Sequence, residues 1–163
     1  VSTTVIKLHG LEWSTVLALL GPVCAALVSL CEAPEPMAST AVKSLGALLG
    51  ACLDDQLLGS APGSQAAAVL IEVVGETSRL LEYRFQESWP SILPGFGTLF
   101  ARAGQSRALA PLLLALVHLH EVLETAPAAA PKQAMGLVES AVGGAVAAMG
   151  PQVFLELVPL ALQ

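Results

Sequence analysis

The stretch VLIEVVGETSRLLEYRFQESW (69–89) decides the fold class of this chain. Its apolar and weakly polar residues recur every three or four positions and so form one stripe along a helix. The stripe consists of Val69, Leu70, Val73, Val74, Thr77, Leu80, Leu81, Phe85 and Trp89. The charged residues Glu72, Glu76, Arg79 and Glu82 fall on the other face. The same spacing recurs over 42–53 and 109–123, so the chain is predicted to be all-α.

Prolines divide the rest of the chain into intervals that each hold one helix and a turn. We predict helices near 12–31, 37–53, 64–88, 91–103, 107–124, 131–148 and 151–161, with a kink or break at Gly21–Pro22 in the first. The connectors are 33–36, 54–63 and 126–131, and connections this short make neighbouring helices pack antiparallel. This spacing is typical of an α-solenoid of HEAT or armadillo-like antiparallel helix pairs. We expect residues 1–163 to form one repeat segment, of three to four helix pairs, of a longer chain.

Composition excludes some classes of protein. The chain has 163 residues, of which 55% are hydrophobic and 12% charged, with a net charge of −6. Disordered chains are poor in apolar residues, so disorder is excluded. The seven cations are spread along the chain, whereas nucleic-acid-binding domains concentrate theirs on one face. Direct RNA contact by this segment is therefore not expected.

One segment is compatible with a membrane span. Trp13 to Cys31 is a run of 19 residues without a charge, close to the about 20 that cross a bilayer. Small and polar residues interrupt it, and no cluster of Lys or Arg sets an orientation at either end. A membrane protein fragment with a span at 13–31 stays open as an alternative, but no membrane partner is expected.

Motifs for catalysis, metals or cofactors are not found in the sequence. His118 and His120 are two residues apart, so they point to different faces of a helix and lack the spacing of a zinc site. Cys24, Cys31 and Cys52 are interpreted as small buried hydrophobes. No catalytic, metal-binding or cofactor-binding residue is therefore predicted, and we expect neither cofactor nor enzyme activity.

Small residues and aromatic residues are assigned structural roles. Gly46/Gly50 and Gly143/Gly144 would let helix backbones approach closely. Tyr83, Phe85 and Trp89 are interpreted as core side chains rather than as a platform for base stacking. Arg79 and Arg84 lie beside them and are candidates for a partner contact, with a solvated face as the alternative.

Two stretches carry a resemblance to a known family. LLEYRFQESWPSILPGFGTLFARAG (80–104) and ESAVGGAVAAMGPQVFLELVPL (139–160), in this order and separation, resemble the HEAT-repeat family of ribosomal RNA processing protein twelve. Upstream, AVKSLGALLGACLDDQLL (41–58) is similar to the helix and loop that precede that region in the family. The family's pattern is carried over onto Tyr83, Arg84, Phe85, Trp89, Met149, Gly150 and Pro151, for which the resemblance implies packing and turn formation.

The resemblance also implies a function. It indicates a non-enzymatic scaffold in small ribosomal subunit biogenesis, acting in precursor-RNA processing, pre-ribosome assembly and export, in the nucleolus and nucleus. The implied partners are pre-ribosomal proteins and assembly factors, with precursor ribosomal RNA in the same particle. A carrier or adaptor solenoid of the karyopherin or armadillo type is the first alternative, because proline-punctuated helix pairs suit it equally.

Overall fold

The computed structural model describes residues 13–125 and 133–158, apart from the side chains of residues 13 and 14. The α-helices in these ranges are α1 Trp13–Leu30, α2 Met37–Cys52, α3 Asp55–Leu58, α4 Gln65–Ser78, α5 Trp89–Ala103, α6 Ala110–Thr125, α7 Ala134–Met149 and α8 Pro151–Leu157. Three 3₁₀-helices lie at Arg79–Leu81, Tyr83–Ser88 and Arg107–Leu109. No strand occurs over these ranges, and the all-α prediction is confirmed. The predicted connector 126–131 and the end of the last predicted helix lie outside the described residues.

The first helix is unbroken, which corrects the predicted break at Gly21–Pro22. Pro22 lies inside α1 and is exposed. Because proline has no N–H, one backbone hydrogen bond is missing on the solvent-facing side of the helix. A residue before proline is disfavoured in a helix partly because its Cβ meets the proline ring. Gly21 has no Cβ, and the helix therefore continues through this pair.

The predicted helix 64–88 is wrong in its second half, because the α-helix ends at Ser78. The Thr77 and Ser78 hydroxyls donate to the carbonyls of Val73 and Val74, each at 2.8 Å, and such back-bonding competes with regular helix geometry. Glu82 then takes an extended conformation, with φ −66° and ψ 146°. The segment continues as 3₁₀-helix, so the apolar stripe from Val69 to Trp89 spans four elements, α4, two 3₁₀-helices and the start of α5.

The predicted connector 54–63 is also corrected, because it contains the one-turn helix α3. Asp54 is extended, and its side chain accepts a hydrogen bond from the Leu57 N–H at 3.0 Å. Ser64 caps α4 in the same way through the N–H of Ala67 at 3.1 Å. Aspartate and serine are favoured at this position because their oxygens satisfy the first N–H groups of a helix.

The chain divides into two compact units between Ser88 and Trp89. In the first, α1 packs against both α2 and α4. Among its described residues the core is mostly aliphatic and includes Leu20, Cys24, Leu48, Leu57, Val73 and Phe85. The buried backbone of Gly21 lies under the Glu72 carboxylate of α4, since a Cβ there would come within 2.5 Å of it.

In the second unit, α7 packs against both α5 and α6, and α8 follows α7. Trp89, Phe100, Leu113, Leu116, Val138 and Ala145 are fully or almost fully buried. The exposed side chain of Arg107, in the 3₁₀-helix before α6, forms an ion pair with the exposed side chain of Glu156 in α8.

Apolar helices of this chain can also have the length and hydropathy of a membrane span. Among the described residues, Arg107–Thr125 is long and apolar enough to cross a bilayer, and a second candidate exists only if α7 and α8, bent by 116°, count together. Within the predicted alternative at 13–31, Thr15–Leu30 is described as a shorter apolar helix. α6 packs one face into the second unit, where it buries Leu112, Leu113, Leu116, Leu119 and Leu123.

Candidate functional site

An ion-pair network on the first unit contains both arginines predicted as partner contacts. Arg84 Nη1 lies 3.3 Å from Glu32 Oε2, and Arg84 Nε lies 2.8 Å from Glu82 Oε2. Arg79 Nη1 lies 2.7 Å from Glu76 Oε2, and its Nε lies 3.9 Å from Glu82 Oε1. Hydrogen bonding to Glu76 raises the pKa of Arg79. We define the chain Glu32–Arg84–Glu82–Arg79–Glu76 as the charged network.

The charged network has three carboxylates and two guanidiniums, so it is acidic by one charge. All of its side chains are partly exposed, and exposed ion pairs contribute little stability. Its arginines already face carboxylates of the same unit, so a partner's acidic group would have to compete with them. Contact of Arg79 or Arg84 with a partner stays a prediction.

The aromatic residues onto which the family's pattern was carried over are divided between core and surface. Phe85 and Trp89 are buried, and the Arg84 guanidinium lies 4.9 Å from the centre of the Phe85 ring. Tyr83 is 40% exposed, which corrects its assignment to the core. The reason is local: extended Glu82 interrupts the helix, and the 3₁₀ turn that follows places Tyr83 outside and Phe85 inside.

Met149, Gly150 and Pro151 form the turn between α7 and α8. Met149 is buried, Gly150 has φ +84° and ψ 152°, and Pro151 is the first residue of α8. Only glycine adopts this backbone conformation without strain, and proline suits the first turn of a helix. The structure thus places these three residues at a sharp change of direction.

His118 and His120 lie in different surroundings on α6. His118 is exposed, whereas His120 faces Glu124 Oε2 through Nδ1 at 3.8 Å and Glu139 Oε1 through Nε2 at 3.7 Å. The two carboxylates lie at opposite ring nitrogens and cannot share one ion with the ring. No group of three His, Cys, Asp or Glu suited to a metal occurs in the part of the chain that the structure describes.

The cysteines have no reactive environment. Cys24, Cys31 and Cys52 are buried free thiols, as interpreted from the sequence. Burial raises the pKa of Cys24 to about 12, and it also raises the pKa values of Cys31 and Cys52. Reactive cysteines have lowered pKa values and access to solvent, so these three are structural.

Close helix approach occurs at one of the predicted small-residue positions. A Cβ on Gly144 of α7 would lie 3.4 Å from the Cα of Gly97 in α5, whereas Gly46 and Gly143 have open space around them. Gly97 was not among the small-residue positions predicted from the sequence. A facing pair of glycines far apart in sequence leaves no local signal.

An apolar groove was also missed. It has a volume of about 490 Å³ and lies between the end of α1 and the start of α2, where it is lined by Leu27, Leu30, Pro36, Met37, Thr40, Ala41 and Ser44. We refer to it as the α1–α2 groove. The available signal was the pair Leu30 and Met37, two large apolar residues that flank the turn 31–36. A second groove of about 370 Å³ in the second unit includes Val117, His120 and Phe154.

The comparison with known families is decisive for the fold. Residues 30–163 match the family described as Ribosomal RNA-processing protein 12, HEAT repeats. The chain belongs to this family. The match includes all three stretches that carried the resemblance, and it establishes an all-α solenoid of the HEAT type. No curated protein and no solved structure gives a significant match.

Proposed function

We propose that the chain is part of a non-enzymatic HEAT-repeat scaffold in small ribosomal subunit biogenesis. In this role it helps to hold pre-ribosomal proteins and assembly factors together during precursor-RNA processing, assembly and export, in the nucleolus and nucleus. The observation that carries the proposal is the family match over residues 30–163, since that family is described by ribosomal RNA processing.

The chemistry of the described residues supports a scaffold rather than an enzyme. The thiols are buried with raised pKa values, and the carboxylates near His120 face opposite nitrogens of its ring. The described surface instead offers partly exposed apolar side chains, two grooves and a net negative charge. Stacked helices present extended surfaces of this kind, on which several partners can be bound at once.

Depletion of the protein that carries this sequence tests the proposal. We expect precursors of the small-subunit RNA to accumulate, and a wild-type copy to restore their processing. A copy with Gly144→Leu, which overfills the contact with Gly97, should restore processing poorly. A copy with Gly136→Leu is the matched control and should restore it fully, because Gly136, also in α7, has open space around it and lines neither groove.

Normal levels of small-subunit precursors after depletion would contradict the proposal. If cargo proteins instead accumulated in the wrong compartment while the precursors stayed normal, the carrier alternative would replace it. Both outcomes can be measured in the same depleted cells, by RNA blotting and by microscopy.

A further inference from the structure

The α1–α2 groove has exposed apolar walls and a buried apolar floor. Leu27 and Ala41 form part of the floor and are buried, whereas Leu30 is 41% and Met37 is 54% exposed. Isolated exposed apolar residues are common on protein surfaces, but several that line one concavity mark an interaction site. Ile71 of α4 illustrates the isolated case, since it is 72% exposed and does not line the groove.

Negative charge surrounds the groove at the turn between its two helices. Glu32 and Glu35 lie in this turn, and Glu35 directly precedes the lining residue Pro36. Glu32 belongs to the charged network, which is itself acidic by one charge, and Glu35 accepts a hydrogen bond from the Ser39 N–H at 3.3 Å. Lys43, next to Ser44, is the cation beside the lining residues of α2.

The wider surface of the first unit has the same sign. Residues 13–88 contain eight Asp and Glu but only three Lys and Arg, and so carry five of the six net negative charges of the chain. Two of these three cations, Arg79 and Arg84, are paired within the charged network. A field of one sign steers oppositely charged partners to a surface and repels RNA and anionic lipid.

We propose that the α1–α2 groove binds a basic amphipathic segment of a partner protein. Apolar side chains on one face of the segment would cover Leu30 and Met37, while Lys or Arg on its other face would lie near Glu32 and Glu35. Binding of an amphipathic helix in an apolar groove is a recurring mode of recognition, with apolar anchors about three or four residues apart. The inference rests on the proposed scaffold function and deepens it by assigning a surface and a partner chemistry.

Binding of two synthetic helical peptides to the purified 163-residue chain tests the inference. One peptide has leucine on one face and lysine on the other, and its counterpart has glutamate in place of lysine. We expect fluorescence anisotropy to show saturable binding of the lysine peptide, weakened by added salt, and no binding of the glutamate peptide. Hydrogen exchange of the unmodified chain should slow over residues 27–44 when the lysine peptide is bound.

Variants of the groove give the decisive comparison. The double substitution Leu30→Ser and Met37→Ser should weaken binding by about tenfold or more, the size of a lost apolar anchor. Glu35→Gln should weaken it less and reduce its salt dependence. Ile71→Ser is the matched control, since it removes an exposed apolar side chain of the same unit outside the groove, and it should leave affinity unchanged.

Equal affinity of the lysine peptide for the double variant and the control would overturn the inference, as would equal binding of the glutamate peptide. Self-association of the chain that the double variant abolishes would assign the groove to a second copy and also overturn it. If the double variant unfolds, the inference is still tested by the affinity of the Glu35→Gln variant and by hydrogen exchange over residues 27–44 of the unmodified chain. Failure of the scaffold function would appear in precursor-RNA levels and leave peptide binding by the purified chain intact.

Discussion

At the scale of single residues, Trp89 carries the largest share of buried volume. Its side chain is 0% exposed and is the largest by volume of the fully buried side chains among the described residues. We expect Trp89→Ala to lower the free energy of unfolding by about 3–5 kcal/mol, because removal of a large core side chain loses apolar burial and leaves a cavity. Chemical denaturation monitored by circular dichroism measures this change.

The matched control for Trp89 is Ile71→Ala. This side chain is mostly exposed, so its removal should change stability by less than about 1 kcal/mol. A Trp89→Ala variant as stable as the Ile71→Ala variant would contradict the assigned core.

Cys24 gives a second prediction at this scale. Its buried thiol donates weakly toward the Val73 carbonyl, with a sulfur–oxygen distance of 4.0 Å, and burial raises its pKa from 9.0 to about 12. The native chain should therefore resist a thiol-specific reagent at mildly alkaline pH, while the denatured chain should react at all three cysteines. Fast reaction of Cys24 in native buffer would contradict its burial.

The same raised pKa predicts a direction for stability against pH. A group whose pKa is higher in the folded state stabilises fully below its unfolded pKa and loses this contribution as pH rises towards the folded value. Stability from Cys24 should therefore be complete below pH 9 and decline between pH 9 and about 12. Melting temperatures across this range measure the decline.

At the scale of helices, the contact between α5 and α7 depends on two glycines. The Cβ of an alanine at Gly144 would be in ordinary contact with Gly97, but a longer side chain would not fit between the backbones. We expect Gly144→Leu to destabilise the chain by about 1–3 kcal/mol through overpacking, as measured by denaturation. Gly143→Leu should cost clearly less, and equal losses for the two variants would exclude close packing at Gly144.

The turn between α7 and α8 gives a second prediction at this scale. Gly150→Ala should cost about 1–3 kcal/mol, since alanine at φ +84° and ψ 152° is strained. Gly136→Ala, inside α7 with open space around it, should instead be neutral or stabilising, because alanine is the better helix former. Thermal melts compare the two, and a stabilising Gly150→Ala would contradict the turn geometry.

Helix positions could be predicted from sequence where burial alone sets the pattern. The leucines that repeat over 42–53 and 109–123 are among the residues that α2 and α6 bury, whereas α7 buries mainly small residues such as Ala141 and Ala145. The end of α4 could not be predicted in this way, because it depends on the Thr77 and Ser78 hydroxyls and on the extended Glu82. A stripe of apolar residues stays the same whether one helix or several successive elements carry it.

The candidate surfaces were less predictable, since they depend on residues that meet only in three dimensions. Arg79 and Arg84 were identified as charged surface residues, but their common partner Glu82 follows from the turn in the backbone. The pairing of Gly97 with Gly144 and the α1–α2 groove both require the packing of whole helices.

At the scale of the whole molecule, charge and apolar surface explain the unusual composition. The chain is 55% hydrophobic and only 12% charged, and most of its net charge falls in residues 13–88. Layers of a solenoid are covered by their neighbours and by partners, so they need less charged surface than an isolated domain. This composition suits a scaffold whose surfaces are covered when it is assembled.

The central claim is that this chain acts as a scaffold within a precursor of the small ribosomal subunit. The most direct test is sedimentation of the tagged parent protein from detergent-free cell extract on a density gradient, with each fraction probed for precursor ribosomal RNA. We expect migration with a large particle that contains small-subunit precursor RNA, and loss of that migration after ribonuclease treatment. Migration as a free protein, or pelleting with membranes, would contradict it.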